Sequence, residues 1–239
     1  MSGLEDKIKQ HFIYPKDPEY VRDLQREDYD PHIDIAVLGG LIPRDDGQAY
    51  ITYDRMSDSE RARHLDLSDV FKRVKPVRSI AKNGNYACQY GAGPPRLEIT
   101  CGISKEAAQN LWETYWTRNW AIKKIASEQK IKTVRGQMFL LNPISGFYYT
   151  LRYKKDIFST LVQGSAAFCF DVLVTMILAD RPELTGQFHD EFILTIKKGK
   201  REEATEWLLG IVDEVNDYLD LNVKLAIGIQ FGDNYGQIH

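Results

Sequence analysis

Apolar side chains recur at the spacing of a helix over most of this chain. A repeat of three or four residues puts apolar positions on one helix face, and serine caps with glycine stops mark the ends. The pattern predicts helices at residues 4–13, 32–38 (closed by Gly39 and Gly40), from Ser57 or Ser59 onward, 77–90, 104–130, 157–180 and 201–220.

Three other stretches alternate between apolar and polar residues and carry turn residues, which favours β-structure. Residues 134–153 and 184–199 each read as two strands joined by a turn, and residues 223–235 read as a final strand. A helical middle with strands towards the C-terminus predicts an α+β fold, in which a helical subdomain is inserted between two pieces of a sheet-containing one.

The composition of the chain is ordinary, but its charges are unevenly distributed along the sequence. The 239 residues are 43% hydrophobic and 27% charged, as in an ordinary globular protein. No apolar run reaches the roughly 20 residues of a membrane span, and three scattered cysteines indicate a reducing, cytoplasmic setting. The net charge of −3 gives the chain no large overall attraction for nucleic acid, yet residues 61–82 hold seven Lys or Arg and two Asp.

A candidate site lies at the end of this basic segment. Arg78, Lys82, Tyr86 and Tyr90 are spaced by four residues. On a helix they form one slowly winding stripe about 18 Å long, with two cations at one end and two aromatic rings at the other. Cations of this kind bind phosphate oxygens and an aromatic ring packs on sugar or base, although a basic edge on an amphipathic helix gives the same pattern.

Two further motifs each allow two interpretations. His189, Asp190 and Glu191 stand between two apolar stretches, either as an exposed turn or as carboxylates that hold a divalent cation. Gln163 and Gly164 open a run of small residues, which suits close helix packing or a hydrogen bond from the glutamine to a nucleotide.

Together these motifs resemble family A DNA polymerases, the family of bacterial DNA polymerase I and of single-subunit phage enzymes. The match consists of R-x-x-x-K-x-x-x-Y-x-x-x-Y-G, then Q-G-S-A-A, then H-D-E, in that order. The ending FGDNYGQIH resembles that of the phage members. The resemblance implies a polymerase right-hand fold, with helical fingers inserted in an antiparallel-sheet palm.

The resemblance also implies roles for individual residues. The incoming dNTP is expected to contact Glu5, His32, Arg78, Lys82, Tyr86, Tyr90 and Gly91. Tyr at position 86 goes with acceptance of dideoxynucleotides in this family. DNA is expected to contact Gln163, His189 and, at a position where the family often has Asn, Ser159. Asp190 resembles the second metal-binding aspartate and Glu191 its supporting acid.

The start of the chain resembles the first palm motif of the family, D-x-S-x-x-E. Glu5 matches the residue that blocks a 2′-hydroxyl, so the first catalytic aspartate would stand five positions earlier, before Met1. Two-metal nucleotidyl transfer needs both carboxylates to bridge two Mg²⁺ ions, for which Mn²⁺ can substitute. The expectation is therefore a split, phage-type polymerase whose separate N-terminal polypeptide supplies this aspartate and the thumb.

The expected boundaries are palm at residues 1–25, fingers at 26–150, and palm with the metal-binding hairpin at 151–239. The expected partners are primer-template DNA, dNTPs and the N-terminal polypeptide, with no membrane, in a host-cell cytoplasm. The alternatives are a DNA-binding accessory or inactive polymerase fragment, and a single-subunit RNA polymerase fragment. Use of NTPs rather than dNTPs would identify the last of these.

Overall fold

The computed structural model describes residues 3–180, 184–189 and 191–238 of the chain. Its helices and strands are, in chain order, α1 Leu4–Ile13, α2 Pro18–Leu24, α3 Pro31–Leu38, α4 Arg44–Asp54, α5 Asp58–Arg61, α6 Leu65–Gln89, α7 Pro94–Cys101, α8 Lys105–Arg118, α9 Trp120–Glu128, β1 Ile131–Val134, β2 Gln137–Leu141, β3 Tyr148–Leu151, α10 Ile157–Asp180, β4 Leu184–Phe188, β5 Glu191–Leu194 and α11 Arg201–Leu219. The expected α+β class is confirmed.

The chain forms two compact units. The sheet unit comprises Met1–Pro15, Gln129–Arg152 and Thr160–His239, and the helical unit comprises Lys16–Glu128 and Tyr153–Ser159. The strands at 131–151, expected in the fingers, group with the two ends of the chain. The palm and fingers boundaries themselves stay a prediction.

In the helical unit, α3 and α4 pack on α6. Their core contains Ile33, Ala36, Ile42, Tyr50, Ile51, Val74 and Ala81, all buried. The Tyr50 ring stacks on Phe71 of α6 at 4.8 Å between ring centroids. This packing fixes the direction of α6, which carries the predicted stripe.

A second anchor of the helical unit is Arg118, at the end of α8. Its guanidinium lies over the Tyr20 ring, 3.5 Å from the ring centroid. It also forms ion pairs at 3.3–3.6 Å with Asp17, Asp23 and Asp34. One cation thereby joins α8 to α2 and α3, and so holds the start of α3 in place.

In the sheet unit, β1, β2 and β3 form an antiparallel sheet in that order, and β4 pairs with β5 in a separate hairpin. Leu140 and Leu151 face the core together with the buried side of α10. Asn142 closes the sheet onto α10, because its amide donates to the Ser165 hydroxyl at 2.8 Å and to the Leu161 carbonyl at 3.2 Å.

Some predicted elements differ from those observed. The helix predicted at 77–90 begins at Leu65 and runs through Pro76. The helix predicted at 104–130 begins after the Ser104 cap as expected, but it breaks at Asn119, whose amide donates to the Tyr115 carbonyl at 3.0 Å. The predicted hairpin at 134–153 is part of three strands that begin at Ile131.

The predicted strand at 223–235 is wrong. Within the described part of the chain, residues 223–234 have no strand partner, and a single turn of 3-10 helix follows at Tyr235–Gln237. Val223 and Leu225 are buried, and Leu225 is held by Asn216, which exchanges two hydrogen bonds with its backbone. The alternation of apolar and polar residues therefore reflects the burial of every second side chain in a segment that lies outside the sheets of the described chain.

The expectation that no segment has the length and apolarity of a membrane span also needs correction. Residues 154–180, which include α10, meet that criterion, with a mean hydropathy of 1.8 over an 18-residue window. Half of that window is buried inside the structure. A core helix of a globular protein meets the same criterion, and α10 packs as one.

Candidate functional site

The predicted stripe lies along the second half of α6. Arg78, Lys82 and Tyr86 are on the helix, and Tyr90 is its C-terminal cap. Lys82 is exposed, as are Tyr86 (49%) and Tyr90 (42%), while Arg78 is half-buried. The opposite side of this half, at Ala81, Gly84 and Cys88, is buried, so packing turns the stripe to the surface.

Asp30, the N-cap of α3, holds Arg78. One carboxylate oxygen accepts from Arg78 Nε at 2.7 Å and Nη2 at 2.6 Å. The other accepts from the backbone N–H groups of His32 at 2.8 Å and Ile33 at 3.0 Å. Burial alone would lower the pKa of Arg78, but the hydrogen bond and charge of Asp30 raise it overall. A single side chain thus both starts α3 and fixes the guanidinium.

His32 stands beside the stripe because α3 starts there. Its ring centroid is 5.9 Å from that of Tyr86, and the Lys82 ammonium is 6.0 Å from the Tyr86 centroid. The amide nitrogen of Asn85 lies 2.9 Å from His32 Nδ1. An amide nitrogen donates and does not accept, so Nδ1 of His32 accepts this hydrogen bond, and Asn85 thereby orients the His32 ring.

Asn85 is itself 8% exposed, and its amide oxygen is buried with no hydrogen-bond partner among the described residues. Its nitrogen also reaches the Pro31 carbonyl at 3.4 Å. A buried unpaired oxygen is unfavourable, so the orientation of His32 is maintained at some expense to stability.

Gly91 ends the stripe in a left-handed conformation, with φ +78°. A side chain at this position would be strained, and its Cβ would lie 3.2 Å from the Lys155 side chain. The close contact brings the aliphatic part of Lys155 against the turn that follows α6.

Four of the remaining predicted residues lie in the sheet unit. Glu5 is half-buried in the first turn of α1, where the helix dipole favours a carboxylate. Gln163 is exposed on α10. His189 is exposed at the end of β4 with φ +48°, and Glu191 begins β5 in register with Phe188. The predicted metal ligand Asp190 lies outside the described residues.

Ser159 belongs to the helical unit and is 8% exposed. Its hydroxyl donates at 3.0 Å to the carbonyl of Asp156, the residue just before α10. The structure therefore uses this hydroxyl within the chain, and the expected contact with DNA stays a prediction.

The structure brings together four predicted residues, His32, Arg78, Lys82 and Tyr86, on α3 and α6. It adds Asp30 and Asn85, which the sequence interpretation missed. Asp30 carried a usable signal, because Asp followed by Pro is typical of an N-cap and first helical residue. Asn85 had no comparable signal in the sequence, since it is a polar residue on the buried side of a helix.

Comparisons with known proteins agree on one family. A family model described as DNA polymerase family A matches residues 62–237. The DNA polymerase I of Treponema pallidum (strain Nichols) is 25% identical over 218 residues, or 80% of this chain and 22% of that protein. The chain thus spans about a fifth of the length of this curated relative.

A solved structure agrees on the fold. The POL domain of Pol1 from M. smegmatis, in complex with DNA primer-template and dNTP, matches with a TM-score of 0.60 at 18% identity. The match covers 94% of this chain and 37% of that chain. The α+β fold of the chain is therefore that of a polymerase domain.

Proposed function

The chain belongs to DNA polymerase family A, and from this premise we propose that it is the nucleotide-binding and palm part of a template-directed DNA polymerase. It adds dNTPs to a primer 3′-end. The observation that carries the proposal is the surface formed by His32, Arg78, Lys82 and Tyr86, named here the α6 site.

The α6 site has the groups that a triphosphate requires. Arg78 offers phosphate oxygens the part of its guanidinium that Asp30 does not occupy, and Lys82 offers a mobile point charge. Asp30 already orients the guanidinium, so less freedom is lost when phosphate binds. Tyr86 places an exposed ring next to Lys82 and His32, where a sugar can pack on it.

The resemblance assigns the other contacts. Tyr90 and Gly91 lie near the templating base, Glu5 excludes a 2′-hydroxyl, and Gln163 and His189 contact the primer-template. These assignments support the use of dNTPs rather than NTPs.

The donor chemistry at the β4–β5 hairpin fits Mg²⁺, because Asp190 and Glu191 offer the carboxylate oxygens that this ion prefers. Asp190 would hold the metal and Glu191 would support it. When bound, the two ions lower the pKa of the primer 3′-hydroxyl and stabilise the pyrophosphate that leaves. The α6 site would hold the triphosphate of the incoming dNTP.

The proposal includes a separate N-terminal polypeptide that supplies the first aspartate and the thumb. Its support is the need of two-metal transfer for two bridging carboxylates, of which Asp190 is one. The phage type and the host-cell location stay predictions.

Primer extension tests the proposal. The chain is assayed alone and with a polypeptide that carries the preceding palm strand and thumb, using dNTPs or NTPs. Extension by the pair, with a strong preference for dNTPs, is the expected result. Robust extension by the chain alone would rule out the separate partner, and DNA binding without extension would support the accessory-protein alternative.

Variants then locate the triphosphate. Arg78→Ala and Lys82→Ala should each raise the KM for dNTP, since each removes a phosphate ligand. Lys72→Ala is the matched control, because Lys72 is an exposed lysine on α6 that pairs with Asp69 at 3.5 Å. An equal effect of all three variants would show a general loss of positive charge and would refute the α6 site.

A further inference from the structure

A second positively charged region lies in the sheet unit, whereas the basic segment at 61–82 belongs to the helical unit. Residues 129–152 contain Lys130, Lys132, Arg135 and Arg152, and no Asp or Glu. The whole chain has 34 acidic and 31 basic residues, so this stretch departs sharply from the average. All four cations are exposed, and no carboxylate among the described residues forms an ion pair with them. Their charge is therefore not neutralised within the described chain.

The pairing register shows which side chains share the outer face of this sheet. Phe139 of β2 lies opposite Lys132 of β1 on one side and Thr150 of β3 on the other. Leu141 lies opposite Tyr148. Alternation puts Leu140 and its partners on the core side, so Lys132, Phe139 and Tyr148 occupy the other. We name this surface the outer sheet face.

The outer sheet face combines an exposed ring with a cation. Tyr148 is 55% exposed, and the Lys132 ammonium is 6.0 Å from its ring centroid. Phe139 is half-buried between the flanking strands. The exposed ring of Tyr148 is open to a ligand from the solvent side of the sheet. A ring flanked by cations suits a ligand that has both flat bases and phosphates.

The turn at the edge of this face adds another cation at some conformational cost. Val134 pairs with Gln137, so Arg135 and Gly136 form a two-residue turn, with φ +50° and +78°. Asn, Asp or Gly is the usual first residue of such a turn, since a left-handed conformation disfavours larger side chains. The strained position presents the Arg135 guanidinium at the tip of the hairpin.

We propose that the outer sheet face binds a single-stranded nucleic-acid segment. Tyr148 stacks on an unpaired base, with Phe139 beside it, while Lys132 and Arg135 contact phosphates. A single strand fits better than a duplex, because stacking needs the open face of a base. This contact is separate from the α6 site and requires neither dNTP nor metal ion.

Fluorescence anisotropy with a labelled 12-nucleotide oligo(dT), in EDTA and without dNTP, tests the proposal on the full chain. Tyr148→Ala should weaken binding about tenfold, because stacking of one base is lost. Tyr148→Phe should bind like the original chain. Lys132→Ala should reduce the slope of log affinity against log salt by about 0.7, the value for one phosphate contact to a single strand.

Matched controls on the same unit are Tyr218→Ala, which removes a ring that is 66% exposed, and Lys224→Ala, which removes an exposed cation. Neither should change binding, and thermal unfolding confirms that each variant is folded. Binding that falls with Arg78→Ala but not with Tyr148→Ala would overturn the proposal. Equal competition by polyglutamate, independent of Tyr148, would also overturn it and indicate an acidic protein partner. Primer extension is measured separately, so failure here leaves the proposed function intact.

Discussion

The two oxygens of the Asp30 carboxylate have different partners, so two substitutions separate what each contributes. One oxygen caps α3 and the other holds Arg78. Asp30→Ser keeps a good cap but removes the charge that faces Arg78, whereas Asp30→Ala removes both. The two variants should therefore differ in stability by the contribution of the cap alone.

The magnitudes follow from the contacts. Loss of an N-cap costs about 1 kcal/mol. Loss of the paired hydrogen bonds from Arg78 costs about 1–2 kcal/mol, after allowance for the solvent that still reaches a guanidinium of this exposure. Asp30→Ser should lower the free energy of unfolding by about 1–2 kcal/mol and Asp30→Ala by about 2–3 kcal/mol. Urea unfolding followed by tryptophan fluorescence measures both.

A double-mutant cycle isolates the ion pair. Combining Asp30→Ser with Arg78→Ala should give a coupling energy of at least about 1 kcal/mol, since either change alone already breaks the pair. Effects that add to within about 0.5 kcal/mol would refute the reasoning. Equal stability of Asp30→Ser and Asp30→Ala would show that the carboxylate does not cap α3.

The same pair of variants tests function in the assembled enzyme. Both Asp30→Ser and Asp30→Ala should raise the KM for dNTP to a similar extent, because both release Arg78 from its fixed orientation. An unchanged KM would show that the orientation of Arg78 does not matter for nucleotide binding. A lower KM would show that Asp30 competes with the triphosphate.

Three further predictions concern stability and reactivity. Burial lowers the pKa of His11, whose ring accepts a hydrogen bond from the backbone of Asn222. The contribution of His11 to stability is therefore complete above pH 6.5 and is lost as the pH falls through the lower pKa of the folded state. The urea midpoint should change less between pH 7 and 5 in His11→Gln than in the original chain, and an identical pH dependence would refute this. Burial raises the pKa of Cys88 to about 12, so iodoacetamide at pH 8 should modify it at least about a hundredfold more slowly in the native chain than in urea, as mass spectrometry of peptides would show. Gly164→Ala should lower the free energy of unfolding by about 1–3 kcal/mol, because the new Cβ would lie 2.8 Å from the Tyr149 ring. Gly210→Ala on α11, which has open space around it, should raise the free energy of unfolding by up to about 1 kcal/mol in the same urea assay.

Local signals in the sequence were enough to predict several elements. α1, the Ser104 cap of α8, the β4–β5 hairpin and α11 all follow from periodicity and capping residues in short windows. The four-residue spacing of the stripe was likewise sufficient to put Arg78, Lys82 and Tyr86 on one helix. These features depend only on residues that are close together in the chain.

The continuity of α6 through Pro76 could not be predicted in that way, because proline lacks an amide hydrogen and normally ends a helix. Here the turn before the proline is held by tertiary packing. Val74 is fully buried, and Phe71 stacks on Tyr50. The stabilising contacts come from α4, which no local window includes.

In the C-terminal segment, by contrast, the sequence predicts a strand that the described residues do not form. Residues 223–231 alternate as a strand does, but a strand also needs a neighbour that accepts its backbone hydrogen bonds. Such a neighbour is not among the described residues. Alternation alone therefore cannot distinguish a paired strand from an extended segment packed by every second side chain.

The chemistry of the α6 site depends on a contact between α3 and α6 that the sequence of neither helix specifies alone. Arg78 and Asp30 are 48 residues apart, and each looks ordinary in its own window. Their contact requires α3 to begin at Pro31, and that start is itself fixed by the Asp30 cap and by the ion pairs of Arg118 with Asp34 and Asp17. A substitution that shifts the start of α3 would therefore move His32 and release Arg78 together. For this reason the loss of nucleotide affinity in any variant near α3 should be compared with its loss of stability before a direct contact with the triphosphate is inferred.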